Sequence, residues 1–135
     1  MTVIENKIIS ILDSELVSIR DKYTKLNMFI VEIDGQFIQS WHEYVAAIQD
    51  AFKFPTTCFD SIDRYLDWMR DLSWLNKNGF VLIIKNYKSF MHNNPMLKKE
   101  LFNDFKMIIL PFWEQEVIFT VVRGKPKNFI VYLVD

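Results

Sequence analysis

The sequence predicts one α/β domain with a small, mainly parallel sheet packed by helices. It also predicts an extra N-terminal helix and an antiparallel edge hairpin at the C-terminus. Three observations lead there. Short β-type runs alternate with segments of helical spacing, an order that favours parallel pairing through crossovers. Phe80-Val81-Leu82-Ile83-Ile84 is apolar without a break, as in a strand covered on both faces. A chain of 135 residues, 50% of them hydrophobic, suffices for one core. The expected division is a single domain over 1–135, with a helical extension at 1–25 ahead of a core at 28–135.

In chain order, Ile4, Ile8, Ile11, Leu12, Leu16, Ile19 and Tyr23 fall at three- and four-residue steps, predicting a helix over Val3–Tyr23. Its apolar face requires a partner, either the domain or a second chain. Met28–Ile33 is a β-type run closed by Asp34-Gly35. Ser40 and Glu43 form a capping-box pattern ahead of Trp41, Tyr44, Val45, Ile48 and Phe52, and Pro55 marks the end of that helix. A helix from about Ser61 to Leu75 precedes the Phe80–Ile84 strand. Asn94-Pro95 starts another helix, which Pro111 should kink or end. Val117–Val122 and Phe129–Val134 read as the strands of the terminal hairpin, joined by Arg123–Asn128.

Composition removes whole classes of function. Cys58 is the one cysteine, so an internal disulfide or a cysteine-based zinc site is excluded. His42 and His92 are too far apart in sequence to form a helical ligand pair. The glycines Gly35, Gly79 and Gly124 stand alone, so dinucleotide fingerprints, P-loops and nucleophile elbows are absent. No cofactor or metal is expected. A net charge of −1 gives no basic footprint, and hence no expected contact with nucleic acid. No apolar run reaches membrane-spanning length, and charged residues interrupt the N-terminus. The expectation is a cytoplasmic protein, with a monomer favoured.

The segment that carries chemistry is Asp60–Asp71. At roughly 100° per residue, Asp60, Asp63, Asp67 and Asp71 gather within an arc of roughly 80°. Ile62, Tyr65, Leu66, Trp68, Met69 and Leu72 occupy the other side. Like charges four residues apart repel, and aspartate is a poor helix former, so the stripe works against the isolated helix. Three readings stay open. The stripe is a solvated face, with Asp60 as N-cap and Arg64 and Arg70 as ion-pair partners. Or it is a carboxylate row for a cationic partner protein, mimicking a phosphate backbone and pairing with guanidinium groups. Or Asp63 and Asp67 form the acid and base of a hydrolase, or a pair of metal ligands, although no third ligand stands at a useful spacing.

The same residues carry a resemblance. Ile33-Asp34-Gly35, Ser40, the helix behind it and Pro55 lead without a gap to Ser61, Ile62, Asp63, Tyr65 and Asp67. This order resembles the barstar-like family of intracellular inhibitors of the ribonuclease barnase, with its Asn-Leu-Asp-Ala-Leu-x-Asp helix. Asp71-Leu72-Ser73-Trp74-Leu75 looks like a run in the family's longer members. The resemblance implies a barstar-like fold and a non-catalytic inhibitor or immunity protein. It also implies that Asp63 and Asp67 dock in the active site of a ribonuclease or related cationic toxin. Asp60, Asp71, Leu66, Arg70, Trp74 and the loop Thr57, Cys58 and Phe59 would surround them. The chain departs from the family at several of these positions. Thr57, Cys58 and Phe59 replace two tyrosines and a glycine, Leu66 replaces a tryptophan, and Arg70-Asp71 replaces Thr-Gly. The alternative function is an interaction module with a different or lost target.

Overall fold

A computed structural model of the chain describes residues 5–114 and 125–135. Among the described residues four strands form one sheet: β1 (Ile8–Ile11), β2 (Phe29–Asp34), β3 (Gly79–Lys85) and β4 (Asn128–Val134). Their spatial order is β1-β4-β3-β2, and every neighbouring pair is parallel. The helices are α1 (Leu16–Lys25), α2 (Trp41–Ala51), α3 (Ile62–Met69), α4 (Pro95–Asp104) and α5 (Leu110–Glu114). The α/β class and the parallel, barstar-like sheet expected from the sequence are what the chain forms.

Handedness explains where the helices sit. From β2 to β3 to β4 the chain steps across the sheet in one direction. Its connections through α2 and α3, and then α4 and α5, cover one face. From β1 to β2 it travels back across the whole sheet, so a crossover of the same hand places α1 on the opposite face. The two buried clusters follow this division. Phe80, Leu82, Ile84, Phe129 and Val131 pack under the α2–α5 layer, with Tyr44, Ile48, Phe52 and Phe105. Val81, Ile83, Tyr132 and Val134 pack under α1, with Leu16 and Tyr23. The Tyr23 and Tyr132 hydroxyls share a hydrogen bond of 2.7 Å there.

The local signals operate largely as read. The Ser40 hydroxyl accepts from the Glu43 N–H at 3.1 Å. The Asn94 side chain caps α4, with Pro95 in its first turn. Pro111 does not end the helix but falls early in α5, directly after a π-helical stretch at Phe105–Ile109. Gly35 is needed for close approach. A Cβ there would lie 2.7 Å from the Asn86 carbonyl oxygen and 2.7 Å from the Phe90 Cβ.

Two expectations are corrected. Within the helix expected over Val3–Tyr23, Val3 and Ile4 lie outside the described residues, and the rest holds a strand and a helix: Ile8–Ile11 pairs with Val131–Val134, a 3₁₀ turn follows at Asp13–Glu15, and the α-helix begins at Leu16. Isoleucines at this spacing suit either state, and their branched Cβ lowers helix propensity, so tertiary pairing decides. The Asn6 carboxamide fixes the entry by accepting from the Phe129 N–H at 2.8 Å and donating to the Leu110 carbonyl at 3.1 Å. The antiparallel edge hairpin is the second correction. Its second strand is β4, an interior strand parallel to both neighbours and bonded on both sides along Val131–Leu133, so it is not an antiparallel edge. Its first strand, Val117–Val122, lies outside the described residues.

Deleting residues 1–26 would strip one edge of β4 and uncover Val81, Ile83, Tyr132 and Val134. Burial of each contributes about 1.5–3 kcal/mol, together comparable with the whole stability of a small domain. The truncated chain is expected to lose its cooperative urea transition. A dispensable extension would leave the transition midpoint unchanged.

Candidate functional site

Helix α3 starts at Ser61, whose hydroxyl accepts from the Arg64 N–H at 3.1 Å. The expected cap, Asp60, stands one residue before it. Serine and aspartate cap about equally well, so sequence alone did not separate them. On the inner side Tyr65 and Met69 are fully buried. The Tyr65 and Tyr44 hydroxyls meet at 2.6 Å, tying α3 to α2 inside the core. Burial pushes both phenols well above their ordinary pKa. At the other end the Trp113 indole N–H donates to the Met69 carbonyl at 2.9 Å.

The helix predicted to reach Leu75 stops at Met69. Leu72 adopts a left-handed conformation (φ 52°), which drops its side chain into the core at 1% exposure. That conformation costs a β-carbon residue about 1–2 kcal/mol, offset here by burial. A short 3₁₀ turn, Ser73–Leu75, follows.

The acidic stripe is therefore shorter on the helix than its spacing suggests. Asp63 and Asp67 lie on α3, four residues apart and exposed; Asp60 precedes the cap, and Asp71 follows the end. Asp67 pairs with Arg70 at 3.1 Å, and Arg70 also donates to the Leu66 carbonyl at 3.1 Å. Asp71 accepts from the Ser73 N–H at 3.1 Å. Among the described residues, Asp60 and Asp63 join no ion pair and no side-chain hydrogen bond. A purely structural stripe would pair its aspartates with Arg64, Arg70 or backbone N–H groups, and Asp60 and Asp63 both depart from that. Asp63 and Asp67 line a shallow depression with Ser61, Arg64 and Trp68. Ile62 is exposed, and Leu66 is half-buried against the core.

The loop ahead of α3 is pinned by indole N–H groups. Trp41 donates to the Phe59 carbonyl at 2.8 Å, Trp68 to the Thr56 hydroxyl at 3.1 Å, and Trp74 to the Phe52 carbonyl at 2.9 Å. Phe59 also stacks on His42 at 4.3 Å. Thr57 is exposed, and its carbonyl accepts from Arg64 at 3.5 Å. Cys58 is buried, with its N–H on the Gln49 carboxamide at 3.2 Å; burial pushes its thiol pKa up, the opposite of an activated thiolate. Trp74 is half-buried, edge-on to Trp68 at 5.4 Å and to Phe54 at 6.1 Å. Sequence reading missed Gln49, Thr56 and the His42–Phe59 stack. Their partners are distant along the chain, and nothing in local spacing signals them.

Among the described residues, no group of three or more His, Cys, Asp or Glu is placed to hold a metal ion, and no helix is long and apolar enough to cross a membrane.

Fold and site define a small parallel α/β protein whose candidate site is an exposed helix with the loop ahead of it. A family model described as Barstar (barnase inhibitor) matches residues 28–123, and the chain belongs to that family. No curated protein and no solved structure matches it. The family match takes in α3 and its loop and begins after β1 and α1.

The buried Tyr44–Tyr65 contact predicts an alkaline weakness. Both phenols hold their protons longer in the folded state, so their contribution is complete below the unfolded value of 10.0 and is lost as pH rises above it. Urea unfolding is expected to show stability falling above about pH 10. The Tyr44→Phe, Tyr65→Phe double variant should show a shallower fall.

Proposed function

We propose that the chain is a non-catalytic inhibitor or immunity protein. It occludes the basic active site of a ribonuclease or related cationic toxin with the outer face of α3 and the Thr57–Phe59 loop. The observation that carries this reading is the stance of Asp63 and Asp67. Both are exposed on one side of a helix whose other side is buried and hydrogen-bonded in place. Enzymes that cleave RNA hold phosphates with cationic side chains, and a pair of carboxylates on a rigid helix offers such groups the same charge. Little chain entropy remains to be lost on docking, because the tryptophan contacts already order the loop. Family membership supports the ribonuclease class of target.

The details of the surface favour a target other than barnase itself. Arg70 already holds Asp67, so a partner cation must displace it or share the carboxylate. Leu66 and the Thr57–Phe59 loop present a different shape from that of the family pattern. The protein acts in the cytoplasm, as an antidote to a toxin made by or entering the same cell.

The test is capture on immobilised protein from the native cell, followed by an RNA-cleavage assay of the captured fraction. Wild-type protein is expected to capture and silence a basic ribonuclease. Folded Asp63→Lys, Asp67→Lys protein should lose at least about 2 kcal/mol of binding, roughly thirty-fold in affinity. Unchanged capture by that variant would refute the assignment. Arg70→Ala is expected to bind more tightly, since it frees Asp67 and removes a like charge from the interface.

A further inference from the structure

A second surface is independent of α3. Among the described residues, strand β2 is an edge strand, bonded to β3 on one side only. In a parallel strand alternate residues turn both N–H and C=O away from the neighbour. Among the described residues, none of the backbone bonds formed outside the regular elements involves Phe29 to Asp34. A groove of about 640 Å³ runs along this edge, between the strand and α2. Its helical wall is Glu43, Ala46, Ala47, Asp50 and Ala51, which recur with the helical period and so share one side of α2. The alanines keep that wall low, leaving room for a backbone beside β2. Phe29, Val31 and Ile33 form the apolar floor.

The carboxylates on the α2 side of the groove are Glu43 and Asp50, and no lysine or arginine lines it. Glu32 and Asp34 alternate with Val31 and Ile33 along the strand and so turn toward the α1 face. Glu32 is satisfied by Arg20 of α1, and Asp34 by the Asn86 side chain and the Gln36 N–H. Glu43 accepts only from neutral donors, the Gln39 N–H at 3.0 Å and the Ser40 hydroxyl at 3.2 Å. Asp50 is exposed and joins no ion pair among the described residues. Lys53 stands over the Phe29 ring at 5.8 Å at the strand's start, and Lys85 of β3 is in register with Asp34 at its end.

We propose that the β2 edge is a strand-addition site for an extended basic segment of a partner protein, with the pattern basic–x–apolar–x–basic. Main-chain bonds to β2 supply affinity, and alternate side chains of the added strand face α2. Glu43 and Asp50 stand about 10 Å apart along the helix, and residues four apart in a strand are about 13 Å apart. Two long basic side chains reach both carboxylates, while the residue between them lies over the alanines. A second copy of this chain is a poorer occupant, because edge-to-edge pairing would bring two acidic rims together. Asp50 also lines a depression with Thr56 and Thr57, so this groove adjoins the loop ahead of α3.

The experiment uses a fluorescent peptide in which two lysines flank a central valine, with threonines between. A second peptide carries N-methyl groups on alternate amides, which keeps the charge and blocks the ladder. Wild-type protein is expected to bind the first peptide saturably and not the second, with slowed hydrogen exchange at alternate β2 amides. Asp50→Lys should weaken binding by about ten-fold or more, and Asp63→Lys, Asp67→Lys should leave it unchanged. Four results overturn the proposal: no binding of the first peptide, equal binding of the methylated one, or loss of binding only in the α3 variant. The fourth is protection of the β2 edge in the free protein, which shows that the chain or a second copy already covers it.

Discussion

Strand β3 has no exposed face. From Gly79 to Ile84 every residue is buried, so apolar layers must lie on both sides of the sheet. A parallel sheet brings its own helices to meet this demand, because each return to the start of the next strand crosses a face. Three of the four strands advance in one direction and load one face with α2 to α5. The reversed step from β1 to β2 is what supplies α1 to the other. The β1–α1 unit lies outside the family match, yet it closes the second core.

What could be read in the sequence was what local chemistry dictates. The Phe80–Ile84 run, the caps at Ser40 and Asn94, and the two-faced character of Asp60–Asp71 each follow from a few adjacent residues. What could not be read depended on partners far away. Ile8–Ile11 fits a helical stripe as well as a strand, and only β4, more than a hundred residues later, resolves the ambiguity. The terminal strand looked like a hairpin arm because sequence neighbours usually pair. Its real neighbours are the first and third strands in chain order. The end of α3 was hidden for another reason: no glycine or asparagine marks the turn, and a leucine takes the left-handed conformation to reach the core.

That turn shapes the candidate site as much as any charged residue does. By ending α3 at Met69 it takes Asp71 out of register with Asp63 and Asp67. It also swings Trp74 back against Trp68 and Phe54. The acidic surface is narrower than the sequence pattern implied, and it is held by the indole bonds that fix the loop before it. On the helix itself Asp63 is the carboxylate without an ion pair among the described residues, while Asp67 shares its charge with Arg70.

The division of the molecule by its sheet has a practical side. Val17 is 75% exposed on α1, the helix that covers the face opposite α2 and α3. A cysteine introduced there, with Cys58 buried on the far side, would give a single reactive handle. A fluorophore, a surface tether or a fused reporter attached at that point would leave both the acidic helix and the β2 edge facing open solvent.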